Sequence, residues 1–236
     1  MSRVGNFTSS QVYRLMSKGR GNWTLDNVGS PYKAYIQEKA REYRTGRPIS
    51  GDNNSRACNW GNFMEGWLFE NKLGLNYKLV SKDRYFHDYL PWSGMPDLLT
   101  DSFVGDIKNP WTINEFCDLV DSFESVEKFK SEHPNYYWQL ISNAILTGID
   151  QCELIVHVPY LDELSDIREA TELYDGDQNK VAFINWATDE ELPYLIRDKY
   201  YKDVNHFTFE ASEGDKALLT ARIEMAAKEL NNRRRR

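Results

Sequence analysis

The 236-residue sequence is poor in cysteine: Cys58, Cys117 and Cys152 lie far apart, with no C-x-x-C pair among them. That spacing excludes a disulfide framework and a clustered-cysteine zinc or iron–sulfur site, and it predicts a reducing compartment, the cytoplasm. Long apolar runs are missing as well. Nothing approaches the roughly 18 consecutive apolar residues of a membrane span, and Met1 to Asn6 has no apolar segment of a secretory leader. Neither a membrane partner nor export is therefore expected. No glycine-rich Walker A loop occurs, so a nucleotide-driven motor is not expected in this chain. His87, His133, His157 and His206 show no metal-ligand spacing, and the chain has no internal repeat. Positive charge is also in short supply. Lys and Arg number 29 against 36 Asp and Glu, a formal net charge of −7 that taken alone argues against a nucleic-acid partner.

What is present is ordinary globular composition, 41% hydrophobic and 28% charged, in a length that buries a core without staples. Residues 1–230 read as a single domain, and 231–236, ending in Arg233 to Arg236, as a mobile basic tail. Thr8-Ser9-Ser10 caps a short helix carrying Val12, Leu15 and Met16, and Ser30-Pro31 opens a longer one to about Tyr43. Trp60, Phe63, Met64, Trp67 and Leu68 form the apolar stripe of a core-facing helix over 59–73, closed by Gly74. The period then shortens. Tyr77 to Val80, Tyr85 to His87, Pro96 to Leu99 and Phe103 to Lys108 read as strands, with Thr100-Asp101-Ser102 turning the last two into a hairpin. A helix follows over 134–147, then strands at Glu153 to Val158 and Val181 to Trp186, and a final amphipathic helix capped by Ser212. The class is α+β, a central mixed, antiparallel-rich sheet flanked by helices.

The segment that carries chemistry runs from Met95-Pro96-Asp97 to Asp106-Ile107-Lys108. Side chains alternate along a strand, so Asp106 and Lys108 share a face, and Asp97 meets them from the neighbouring strand. Two carboxylates beside an ammonium suit Mg²⁺, a hard cation that takes oxygen ligands, and the Ile107 carbonyl is a further donor. Asp106 stands inside the apolar run 103–107, where a charge needs a partner. Glu65 flanks the Trp60 stripe, from which a carboxylate reaches a sheet-borne metal through water. Gln139 lies one turn beyond Tyr136 on the following helix, where it can orient a water or contact DNA. Lys39, Arg41, Arg44 and Arg47 read as a solvated basic helix face.

In order, Trp60, Gly61 and Glu65 (W-G-x-x-x-E), Pro96 and Asp97 (P-D), Asp106, Lys108 and Pro110 (D-x-K-x-P), and Tyr136 and Gln139 (Y-x-x-Q) resemble the phage lambda exonuclease family. This YqaJ-like group belongs to the PD-(D/E)XK nuclease superfamily. Arg3, Gly5, Thr8 and Ser10 (R-x-G-x-x-T-x-S) extend the resemblance, which runs from Arg3 to about Gly148. It implies a restriction-endonuclease-like core and a Mg²⁺-dependent 5′-to-3′ double-strand exonuclease of phage recombination, with Mn²⁺ as a possible substitute, that releases 5′-mononucleotides.

In that reading Asp97, Asp106 and the Ile107 carbonyl hold the metals and Glu65 supports them through water. Lys108 positions the attacking water and Gln139 arranges that water or the scissile phosphate. Arg3, Thr8 and Ser10 take the 5′ phosphate at a helix start, where exposed N–H groups favour anions. The resemblance further implies a homotrimer threading linear duplex DNA, a phage single-strand annealing protein as companion, and the cytoplasm of an infected bacterial host. Leu98, where the family usually has glycine, Asp106, where glutamate is common, and Asn109 and Ile141, in place of a frequent cysteine and glutamine, depart from the pattern without removing a metal ligand. The competing readings are an endonuclease of another superfamily branch and a catalytically silent DNA-end-binding module. With a nuclease site in view, the −7 becomes an expectation of polarised charge, acidic outside around a channel lined by Arg3 and other basic residues.

Overall fold

Thr100 closes the expected hairpin. Its backbone N–H donates to the Phe103 carbonyl at 2.9 Å, and its hydroxyl accepts from the Phe103 N–H at 2.8 Å. The structure, a computed structural model, describes residues 4–22, 24–49, 54–74, 77–80 and 83–234. Among them the strands are β1 (Phe7–Thr8), β2 (Lys78–Leu79), β3 (Tyr85–Phe86), β4 (Trp92–Gly94), β5 (Leu98–Leu99), β6 (Phe103–Lys108), β7 (Gln151–His157) and β8 (Val204–Glu210). The helices are α1 (Ser30–Thr45), α2 (Arg56–Leu68), α3 (Ile113–Asp121), α4 (Val126–Glu132), α5 (Pro134–Thr147), α6 (Leu164–Glu172), α7 (Gln178–Trp186) and α8 (Glu213–Arg234).

A five-stranded sheet in the order β2-β5-β6-β7-β8 forms the centre. Only β6 and β7 run parallel, with Asp106 opposite Leu154, and the remaining neighbours are antiparallel, so the sheet is mixed. Joining parallel neighbours requires a crossover, which α3, α4 and α5 supply. One face, through Val104, Leu154, Val156 and Phe209, buries Leu140, Ile141 and Ala144 of α5 and Leu219, Ile223 and Leu230 of α8. The other carries Leu98, Ile107 and Ile155 against Leu68 and Leu73. Beyond it, Trp60, Phe63, Met64 and Trp67 of α2 pack on Leu164, Ile167, Val181 and Ile184. No helix among the described residues is long and apolar enough to cross a membrane.

A second, three-stranded sheet in the order β1-β4-β3 brings the N-terminal segment beside β4, with Phe7 opposite Trp92 and Thr8 opposite Ser93. Ser142 of α5 pins this layer, sharing a hydrogen bond with Ser9 Oγ at 2.7 Å and accepting from Trp92 Nε1 at 2.8 Å. Gly5, the glycine of the N-terminal motif, has φ +73°, a conformation that side chains disfavour. Its N–H donates to Glu42 at 3.1 Å and its carbonyl accepts from Arg234 at 2.7 Å.

Four expectations are corrected. Val181 to Trp186 is not a strand but most of α7: Asp177 caps it through the Asn179 N–H at 3.1 Å, and Val181 and Ile184 bury one turn apart against α2. The segment after Thr8 is a six-residue 3-10 helix, Ser9–Arg14, and the Thr8 N–H donates to Tyr35 Oη at 2.8 Å, so it is not an open helix start. Lys39 is buried rather than solvated, paired with the buried Glu42 at 2.9 Å, while Arg41, Arg44 and Arg47 are exposed. Residues 231–234 continue α8 instead of forming a mobile tail, because Arg233 reaches Gln37 and Glu229 and Arg234 stacks on Tyr43 and binds Gly5.

Candidate active site

Three elements converge on one cleft of about 370 Å³. The hairpin delivers the acids. Asp97 is clamped across it, its N–H donating to the Gly105 carbonyl at 3.1 Å and its carboxylate accepting from the Ile107 N–H at 2.8 Å. Asp106 and Lys108 follow on one face of β6, and the Lys108 ammonium sits on Asp106 Oδ2 and donates to the Ile107 carbonyl at 3.2 Å. From α5, Gln139 Nε2 donates to the other Asp106 oxygen at 2.8 Å. From α2, whose first turn Ser55 caps through the Cys58 N–H at 3.2 Å, come Glu65, Asn62 and Cys58. The sequence-predicted residues Glu65, Asp97, Asp106, Ile107, Lys108 and Gln139 therefore all line the same cleft.

The electrostatics follow from this crowding. Asp106 is 1% exposed and both of its carboxylate oxygens are engaged. Burial, then the carboxylates of Asp106 and Glu65, push the Asp97 carboxyl well above the usual carboxylate range, against the opposing pull of Lys108. Burial works to lower the Lys108 ammonium, but Asp106 and Asp97 reverse this and hold it above the ordinary lysine value, fully charged at neutral pH. The ammonium also lies 5.3 Å from the centre of the Tyr136 ring, whose hydroxyl is 3.4 Å from Glu115.

The donor set of the cleft is hard oxygen: two carboxylates, a carbonyl and the Glu65 carboxylate that raises Asp97. A divalent cation relieves such like-charge crowding, so the residues fit one. Among the described residues no three His, Cys, Asp or Glu side chains are gathered closely enough to hold a metal by themselves. The fit therefore involves Asp97, Asp106 and the Ile107 carbonyl, oxygens that Lys108 partly shares.

Of the expected phosphate-binding trio, Thr8 and Ser10 line a second cleft that adjoins the first at Gln139. Arg3 lies outside the described residues. Two features had no sequence signal. Arg84, just before β3, lines the second cleft because β1 brings Thr8 to Ser10 onto β4 from far away in the sequence. Asn109, next to Lys108, accepts from the buried His157 Nδ1–H at 2.9 Å and reaches the Gly61 carbonyl at 3.5 Å, tying β6 to β7 and α2. The departures are structural: Leu98 and Ile141 are core residues.

No protein-family model matches the chain, and no curated protein matches its sequence. Solved structures do. An alkaline exonuclease, LHK-Exo from Laribacter hongkongensis, superposes with a TM-score of 0.65 at 14% identity, over 99% of this chain and 91% of that one, and its complex with dAMP matches equally well. A phage-related exonuclease from Haemophilus somnus 129PT gives 0.63 at 16% identity, over 96% and 94%. At such identities the common property is the fold, and over nearly its whole length this chain folds as these exonucleases do.

Proposed function

We propose that the protein is a Mg²⁺-dependent deoxyribonuclease that degrades one strand of linear duplex DNA from its 5′ end and releases 5′-mononucleotides. The observation that carries this reading is the convergence of Asp97, Asp106, Lys108 and Gln139 on one cleft, in a chain with the fold of exonucleases. The dAMP complex of LHK-Exo is consistent with a mononucleotide product. Asp97, Asp106 and the Ile107 carbonyl would hold Mg²⁺, with Glu65 acting through water, and the ion supplies a more acidic water and positive charge for the phosphate. Lys108, held charged by its neighbours, retains the attacking water and offsets charge on the phosphorane oxygens. Gln139, anchored on Asp106, orients the scissile phosphate. Arg3, Thr8 and Ser10 receive the 5′-terminal phosphate.

The core is of the PD-(D/E)XK type, and Mn²⁺ substitutes for Mg²⁺. The enzyme works as a homotrimer around its duplex, beside a phage single-strand annealing protein, in the cytoplasm of an infected host. Linear and closed-circular duplex incubated with Mg²⁺ or with a chelator give the test. Linear DNA should shorten to mononucleotides only with the metal, while circles persist. Survival of the linear duplex, or equal cutting of circles, overturns the proposal.

A further inference from the structure

Asn109 stands between the strand that carries the acids and the helix that carries Glu65. It follows Lys108 directly, is buried, and lines the acid cleft. Its amide nitrogen reaches the Gly61 carbonyl of α2 at 3.5 Å, and its amide oxygen lies 2.9 Å from Nδ1 of His157 on β7. A carbonyl can only accept. That turns the nitrogen of Asn109 toward Gly61, leaves its oxygen to His157 and puts the imidazole proton on Nδ1. The other ring nitrogen, Nε2, is buried without a hydrogen-bond partner among the described residues, so a second ring proton would meet no acceptor. The ring is accordingly neutral, and the link is a fixed pair of uncharged side chains.

Both ends of this link meet α2 around one residue. Within an α-helix the Gly61 carbonyl is the acceptor for the Glu65 N–H, so Asn109 donates to the turn that presents Glu65. Two residues beyond Glu65, the Trp67 ring stacks on His157 with centres 5.9 Å apart. Apolar contacts also hold α2, through Leu68 on the sheet and through its stripe on Leu164 and Val181. Such packing carries little direction. The hydrogen bonds of Asn109 supply it. Glu65 needs that restraint, because its charge opposes that of Asp97 across the cleft and drives the two apart when no cation lies between them. We infer that Asn109, backed by His157, is a positioning residue that sets the Glu65 carboxylate against Asp97 and Asp106, at the spacing a divalent cation and its water need. The inference rests on the nuclease reading above, with Glu65 supporting the ion through water, and adds what holds that carboxylate in place.

The experiment is a double-mutant cycle in Mn²⁺ binding. The free-ion electron paramagnetic resonance signal is titrated, without DNA, by the wild type, Asn109→Ala, Glu65→Gln and the double variant, with thermal melting as a check on folding. Partners of metal-supporting groups are commonly worth 10–100-fold in affinity, so Asn109→Ala alone should weaken Mn²⁺ binding about tenfold. Because Asn109 acts through Glu65, the same substitution should cost nothing further once Glu65 is replaced by Gln. If Asn109→Ala does not fold, Asn109→Ser, which keeps a hydroxyl on the side of His157, enters the same cycle. Equal losses in both backgrounds, or an unchanged affinity in a folded variant, overturn the inference and leave the nuclease reading standing. A wild type that binds Mn²⁺ but leaves linear duplex intact removes the nuclease reading alone, and the cycle still decides the inference. A wild type that binds no Mn²⁺ overturns the inference outright.

Discussion

Asp97 sits beside the carboxylates of Asp106 and Glu65, and Lys108 works against that crowding. Folding brings these charges together, so the cleft costs stability in return for its chemistry, a common trade at functional sites. Asp97→Asn should separate the two. The amide keeps an oxygen to accept the Ile107 N–H, while the like-charge repulsion disappears. Cleavage is expected to fall by a factor on the order of 10²–10³ or more, yet without metal the variant should melt at or above the wild-type Tm, by about 2–4 °C for each kcal/mol relieved. Added Mg²⁺ should raise the Tm of the wild type and leave Asp97→Asn unmoved. A variant that melts well below the wild type, or that gains as much from Mg²⁺, would show that Asp97 is a structural acceptor and not a metal ligand. This cluster was legible in the sequence because a hairpin is local: alternation alone puts Asp106 and Lys108 on one face and Asp97 opposite them. Arg84 was not. Its place in the second cleft depends on Phe7 pairing with Trp92, which brings Thr8 to Ser10 from far away in the chain to the local pair of Tyr85 with Gly94.

Among the elements, α5 does the organising. Residues three apart on a helix share a face, and here Gln139 grips Asp106 while Ser142 holds both Ser9 and Trp92. One helix thus sets the distance between the acid cleft and the Arg84 cleft. The fit depends on Gly94 at the end of β4. A methyl group there would press on Ser9 Oγ and stand 2.6 Å from Asn143 Oδ1 and 2.8 Å from Leu146 Cδ1. Gly94→Ala should therefore cost about 1–3 kcal/mol, seen as a lower midpoint in denaturant titration, and it should weaken DNA cleavage more than unfolding alone explains. Retention of full stability would mean that β4 and α5 pack less tightly than they stand. Helix α5 was readable residue by residue, since Pro134 starts it and Gly148, in the left-handed conformation, ends it. By contrast, α7 is ambiguous in sequence because the short, mostly apolar run Val181 to Trp186 fits either period, and its burial comes from α2, distant in sequence. The edge strand β8 gives a weak signal for a related reason: residues 204–210 mix polar side chains with Val204, Phe207 and Phe209, only Phe209 is buried, and pairing with β7 makes them a strand.

For the molecule as a whole, the −7 is unevenly spread. A cleft between α1 and α8 is lined by Arg44 and Arg233 with Gln37, Asn232 and Glu229, whereas a groove between α2 and α6 is rimmed by Glu70, Asp166, Glu169 and Asp175. The buried charge network is also directional in pH. His157 is fully buried, stacked on Trp67 with ring centres 5.9 Å apart, and its Nδ1–H donates to Asn109. Burial, then the nearby Lys72 ammonium, lower its pKa from 6.5 to about 3. Between those values the unfolded chain binds a proton that the folded one refuses, so stability rises with pH through this window and is lost as pH falls. From pH 7 to pH 5 the loss from this one group is on the order of 2 kcal/mol. Asp203 and Asp215, held below the usual carboxylate range by Lys72 and by Lys130 with Tyr137 despite their partial burial, act in the same direction, but at pH values below the ordinary carboxylate range. The raised carboxyl of Asp97 works the opposite way, gaining stability as pH falls, so the histidine's part is read by comparison: between pH 7 and 5 the wild type should lose Tm relative to His157→Gln, whatever the absolute Tm of either. Parallel slopes would mean that His157 is protonated in the folded protein and that its tie to Asn109, and through it to the strand bearing Asp106 and Lys108, is not the neutral hydrogen bond described above.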